Sequence, residues 1–199
     1  PLSSKTAIRF IRQAVEALQY AHQRGLVHRD VKPANLILGP RGVIKLVDMG
    51  LARFVDAIER QADSPSNHWK TDTGHLMGTI DYMAPEQAID LGLADQRSDI
   101  YSLGCTLFYL LTGETHLRGK TQRRRAACLV NKTGMRELTQ LRDDLDPCIA
   151  ALVKKMMQIV PEERYQSTRE LLEAIDRCAE RFGMPAQNEM TYRVLVVED

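Results

Sequence analysis

His28-Arg29-Asp30-Val31-Lys32-Pro33-Ala34-Asn35 packs five polar functional groups into eight residues, directly before the β-rich run Leu36-Ile37-Leu38. Asp30 and Asn35 lie five apart with Lys32 between them, and a further acid follows in Asp48-Met49-Gly50. An Asn oxygen and a carboxylate are hard ligands of the kind Mg²⁺ takes. A lysine ammonium is a point charge suited to a phosphate oxygen. A second carboxylate outside the metal shell can accept a proton from a hydroxyl. Metal, phosphate clamp and base together are the parts of phosphoryl transfer. Any one of these residues alone reads better as part of a charged surface loop; the whole string does not.

Around this segment the pattern is mainly helical. Ile8, Ile11, Val15 and Leu18 recur at steps of three and four, so residues 4–24 form an amphipathic helix, with Ser3 or Ser4 as its cap and Gly25 at its end. Leu36-Ile37-Leu38 and Val43-Ile44-Lys45-Leu46-Val47 are short strands joined through Gly39-Pro40-Arg41-Gly42, a hairpin. Residues from about 53 to 82 show little periodicity, and loops of such length are usually functional or disordered. Further helices are expected near 85–90, 98–112, 122–132, 147–158 and 168–182, with Pro147 at the first position of its helix.

Composition bounds the function. The 199 residues carry 27 Lys+Arg against 26 Asp+Glu, a net charge of +1, which argues against a strongly basic nucleic-acid or membrane-surface protein. A 44% hydrophobic and 27% charged chain is globular. The longest apolar stretch, Ile100 to Leu111, is interrupted by Ser102, Gly104 and Thr106 and falls short of the roughly 20 residues of a spanning helix. Cys105, Cys128, Cys148 and Cys178 form no CxxC pair, so a zinc site is not expected. No secretory leader precedes them, and they read as reduced thiols of a cytoplasmic protein.

With these residues in view a family resemblance is plain. His28 to Asn35 resembles the protein-kinase catalytic loop, Asp48-Met49-Gly50 stands where that family has its metal-binding DFG, and Ala84-Pro85-Glu86 resembles the motif closing the activation segment. Gly78-Thr79-Ile80-Asp81-Tyr82-Met83-Ala84-Pro85-Glu86-Gln87 is similar to bacterial Ser/Thr kinases of the Hanks type. The resemblance implies an α+β, mainly helical kinase large lobe with a small β-hairpin at the catalytic loop. It implies Asp30 as base, Lys32 on the γ-phosphate, Asn35 and Asp48 on Mg²⁺, and Ile37 under the adenine of ATP. It implies Thr79 beside the acceptor pocket, where with Lys32 it favours a Ser/Thr of a protein substrate over Tyr. It also implies that buried Asp99 props the catalytic loop, that Arg164 pairs with Glu86, and that Arg29 binds a phosphate on the activation segment, with Thr71 and Thr73 as its acceptors.

The departures are equally specific. The twelve glycines nowhere form GxGxxG, and Val43-Ile44-Lys45 follows the catalytic loop, so it is not the ATP-binding β3 lysine motif. The small N-terminal lobe is therefore expected to be missing, leaving the chain alone inactive or nearly so. Met49 replaces the usual Phe, with altered packing but the ligand Asp48 retained. Arg118 to Arg125 is a basic run, read first as a solvated helix end and second as a docking surface. Residues 1–182 are thus assigned to the kinase lobe and 183–191 to a linker. Residues 192–199, an apolar strand ending in Glu198-Asp199, are similar to the first strand of a response-regulator receiver domain. Both ends read as cut from something longer. The competing functions are a non-catalytic half-kinase scaffold and a small-molecule phosphotransferase of the same fold.

Overall fold

The computed structural model describes residues 1–48, 80–119, 121–131 and 133–184. Six α-helices are described: α1 (Ser4–His22), α2 (Pro85–Ile89), α3 (Gln96–Thr112), α4 (Gln122–Val130), α5 (Pro147–Met156) and α6 (Thr168–Glu180). One antiparallel hairpin joins β1 (Leu36–Leu38) to β2 (Ile44–Leu46), pairing Leu36 with Leu46 and Leu38 with Ile44. Every helix anticipated from periodicity is present, with ends moved by one or two residues.

The core forms where α1 packs on α3 and α6, and α3 packs on α5. Ile8, Ile11, Val15 and Leu18 of α1 are all fully buried, the stripe its spacing predicts. Ser3 is the cap, its side chain accepting from the Thr6 amide at 3.3 Å. Helix α3 is apolar nearly all round and correspondingly buried on almost every side from Ser98 to Phe108. Such a helix passes through the centre of a domain. At Gly104 a Cβ would stand 2.8 Å from both Met156 Cβ and Met157 Cγ, so only glycine lets α5 approach α3 this closely. The hairpin is locked to α1 by one buried glutamine. Gln13 accepts from Ile44 N at 2.9 Å and donates to Gly42 O at 3.2 Å, consuming both halves of its amide.

One expectation is overturned. Cys148 on α5 and Cys178 on α6 are joined by a disulfide across a Cα–Cα distance of 5.8 Å, so these two are not free thiols. Cys105 and Cys128 remain free. The 30-residue separation hid the pair, because only the packing of α5 on α6 brings the two together. Among the described residues no helix is long and apolar enough to cross a membrane.

His116, just past α3, is a buried titratable group with no signal in the sequence. Its Nε2 lies 3.2 Å from Tyr101 Oη, its ring is edge-on to Phe108, and burial pushes its pKa from 6.5 down to about 4. Below pH 6.5 the unfolded chain binds a proton that the folded chain refuses, so stability falls as pH drops from 6.5 towards 4. The loss between pH 7.5 and 5 is about 2 kcal/mol. Urea unfolding at the two pH values measures it. His116→Gln should flatten the dependence by that amount; an unchanged pH dependence in the variant would refute the assignment.

Candidate active site

The segment from His28 to Asn35 has no regular structure until a single 3₁₀ turn, Pro33–Asn35, leads into β1. A loop without ladder bonds needs other partners for its backbone, and one carboxylate supplies them. Asp99, fully buried in the first turn of α3, accepts from His28 N at 2.9 Å and His22 Nε2 at 2.7 Å on one oxygen, and from Arg29 N at 2.7 Å on the other. Asp99, the residue expected to prop this loop, thus binds the backbone of both His28 and Arg29. His22, its third donor, was not anticipated. It stands at the end of α1, six residues before the loop, where nothing but the fold directs it towards α3.

His28 stitches the loop to the hairpin. Its ring is fully buried, Nε2 lies 3.1 Å from Val47 O, and Nδ1 lies 3.3 Å from Asp30 N. Those partners assign a neutral imidazole that donates from Nε2 to the carbonyl and accepts on Nδ1. Val47 N in turn donates to Asn35 O at 3.0 Å. The main chain therefore carries Asp48 to the side of Asn35. Two non-glycine residues sit in left-handed backbone here, Arg29 at φ 64° and Asp48 at φ 59°. Such conformations persist only where surroundings over-determine them, and they concentrate at functional sites.

Asp30, Lys32 and Asn35 converge. Lys32 Nζ is 2.7 Å from Asp30 Oδ2. Asn35 Nδ2 donates to Asp30 O at 2.8 Å and to Asp30 Oδ2 at 3.1 Å. Asn35 is buried, and because its amide nitrogen is spent on Asp30, its oxygen is the atom left for a cation. Asp48 is exposed. Among the described residues no group of three His, Cys, Asp or Glu could hold a metal by itself. Two hard protein oxygens, with the remaining positions open to water and phosphate, suit Mg²⁺ bound together with a nucleotide. Ile37, in the middle of β1, is 47% exposed, and Leu38 and Val43 are exposed as well.

A second cluster supports the loop from below. Arg164 has five N–H donors, and all five find acceptors: Gln158 O, Arg97 O, Ile159 O and both oxygens of Glu86, at 2.7 to 3.0 Å. Ser98 Oγ adds a bond to Glu86 Oε1 at 2.6 Å. Burial pushes Glu86 up, but the bonds from Arg164 and Ser98 outweigh it and hold the carboxyl below its usual range. The next residue, Gln87, donates to Arg29 O at 3.0 Å and so ties α2 to the catalytic-type loop. Among the described residues the buried Nε of the Arg29 guanidinium has no hydrogen-bond partner. Asp81, buried and four residues before Pro85, pairs with Arg125 of α4 at 2.5 Å, a contact that sequence reading missed. Met49, Thr71, Thr73, Thr79 and 192–199 lie outside the described residues.

Comparison with known proteins shows the family. The protein kinase domain family model matches residues 1–174. The serine/threonine-protein kinase PknB of Mycobacterium tuberculosis is 37% identical over 171 residues, covering 86% of this chain and 26% of that protein. A probable serine/threonine-protein kinase of Streptomyces coelicolor is 37% identical over 175 residues, covering 86% and 24%. PknA of Mycobacterium tuberculosis is 35% identical over 188 residues, covering 94% and 40%. The chain thus spans between about a quarter and two fifths of the length of these relatives. It belongs to the serine/threonine protein kinase family, whose members use ATP and Mg²⁺.

Proposed function

We propose that this chain is the large, C-terminal lobe of a serine/threonine protein kinase and transfers the γ-phosphate of ATP to a protein hydroxyl once a small lobe completes the nucleotide site. The observation that carries this reading is the convergence of Asp30, Lys32 and Asn35, with Asp48 held alongside through Val47. Asp30 accepts the hydroxyl proton of the acceptor. Lys32, released from its pair with Asp30, meets the γ-phosphate. Asn35 and Asp48 hold Mg²⁺, which neutralises charge on the phosphates when bound. Thr79 borders the acceptor pocket with Lys32.

The exposure of Ile37, Leu38 and Val43 on the hairpin supports a nucleotide floor and the seat of a covering lobe. On this reading the Gly-rich loop and β3 lysine lie outside these 199 residues, and the chain alone has no useful activity because nothing aligns the α- and β-phosphates. Residues 1–182 are the kinase lobe, 183–191 a linker and 192–199 the first strand of a receiver domain. A scaffold without chemistry is the weaker reading, since it has no use for strained backbone at both Arg29 and Asp48.

The Arg29 Nε, buried and without a partner among the described residues, favours regulation by phosphorylation. A phosphate on Thr71 or Thr73 adds about −1.5 to −2 charges, which a guanidinium can bind. The test is transfer of labelled phosphate from Mg-ATP to a threonine-containing protein, using the chain joined to a kinase small lobe. Transfer should appear, and Thr71→Ala with Thr73→Ala should lower it. No transfer by the completed kinase refutes the catalytic reading; full activity with both threonines unmodified refutes the regulatory one.

A further inference from the structure

Between Arg118 and Thr133 the sequence holds six cations, Arg118, Lys120, Arg123, Arg124, Arg125 and Lys132, and no acid, in a chain whose net charge is only +1. Arg123 and Arg124 occupy the first turn of α4, after the cap Thr121. Cations there oppose the helix macrodipole and repel one another. Helix stability therefore does not explain them, and a local conflict of this kind marks a functional surface. Arg125 is spent on buried Asp81, which anchors α4 to the stretch running into Ala84-Pro85-Glu86. Its neighbours are not spent in this way. Arg118, Arg123 and Arg124 are exposed, and among the described residues no ion pair engages them. Helix α4 packs against α2, and on these elements and the turn Leu91–Leu93 the side chains of Ile89, Leu93 and Val130 are exposed by 60%, 58% and 50%.

We propose that α4 with this apolar rim is a docking surface for an acidic, leucine-containing segment of the protein substrate. The inference rests on the kinase reading above and names the substrate class of that same site. Glutamates would meet Arg118, Arg123 and Arg124, and apolar side chains would cover Ile89, Leu93 and Val130. Mixed charge and apolar exposure of this kind fits a protein partner. A nucleic acid or lipid headgroup would use the cations and leave the apolar rim wet. The Asp81–Arg125 pair joins the surface to the segment before α2, and Gln87 joins α2 to Arg29, so a docked substrate is held by elements that also support the catalytic-type loop.

The test uses the 199-residue chain and a fluorescein-labelled dodecapeptide with one threonine, four glutamates and two leucines. Its control has glutamine at the four glutamate positions. Fluorescence anisotropy should show saturable binding that weakens with salt, with the glutamine peptide bound about tenfold more weakly. Arg123→Glu with Arg124→Glu should weaken the acidic peptide about tenfold without lowering the unfolding midpoint, since acids suit the start of a helix; Leu93→Ser should weaken both peptides. Equal binding of the two peptides, or an unaffected charge-reversal variant, overturns the proposal. So does tighter binding of a twelve-residue oligothymidylate or of phosphatidylserine vesicles. Binding needs no phosphoryl transfer, so the two readings fail separately. A completed kinase that phosphorylates both peptides equally while the chain binds them equally removes the docking surface alone. A chain that discriminates in binding but whose completed kinase transfers nothing removes the catalytic reading alone.

Discussion

Replacing Asp30 by Ala should lower the rate of phosphoryl transfer by at least a hundredfold to ten-thousandfold, the range a positioned general base contributes, while leaving nucleotide binding nearly intact. The asymmetry follows from what Asp30 touches. Its carboxylate faces Lys32 Nζ at 2.7 Å and the Asn35 amide at 3.1 Å, and its proposed task is the acceptor hydroxyl, not the nucleotide. Removing it frees Lys32 from its carboxylate and costs the metal no ligand. Asp48→Ala should behave differently and weaken Mg-ATP binding together with turnover, because that carboxylate would help hold the ion that would neutralise charge on the phosphates. Calorimetric titration of Mg-ATP and single-turnover transfer, both on the chain joined to a small lobe, separate the two variants. Near-normal transfer by Asp30→Ala would show that the base is another group.

The largest loss of stability should come from Arg164→Met. The side chain of Arg164 is fully buried and its partner Glu86 is only 13% exposed. Removing the guanidinium leaves the Glu86 carboxylate without its cation and strips three carbonyls of a donor. Breaking a buried ion pair from one side costs about 3–5 kcal/mol, a large share of the roughly 5–15 kcal/mol that holds a domain folded. Glu86→Leu combined with Arg164→Met should cost less than the sum of the singles, since the orphaned charge is then gone. Urea unfolding of the two single variants and the double gives the comparison. A loss under about 1 kcal/mol for Arg164→Met would show that the five bonds are not the anchor of this region. The same cluster has an acid signature. Glu86 is held below its usual range, so its contribution is complete above the ordinary carboxylate pKa and fades as pH falls through the lowered value.

Much of this was legible from residue order because the relevant information is local. A 3.6-residue repeat puts Ile8, Ile11, Val15 and Leu18 on one face whatever they pack against, and all four are buried. Weakening of that repeat in α3, apolar nearly all round between Ile100 and Leu111, announces a helix with little face left for water. The five-residue span from Asp30 to Asn35, closed by Pro33 at the start of a 3₁₀ turn, is short enough for the two side chains to meet through local geometry alone. Residue type and spacing thus determined the chemistry on offer and the helical class of the fold.

Tertiary structure decided what depends on distant segments meeting. Cys148 and Cys178 reach bonding distance only because α5 lies on α6, which no spacing rule expresses. His22 completes the shell of Asp99 across 77 positions, and Arg125 finds Asp81 across 44. His116 loses its affinity for a proton because burial beside Tyr101 and Phe108 disfavours its charged form. Burial and long-range pairing are sums over the whole packed chain, and the energies that follow from them, desolvation above all, exist only once the helices have come together.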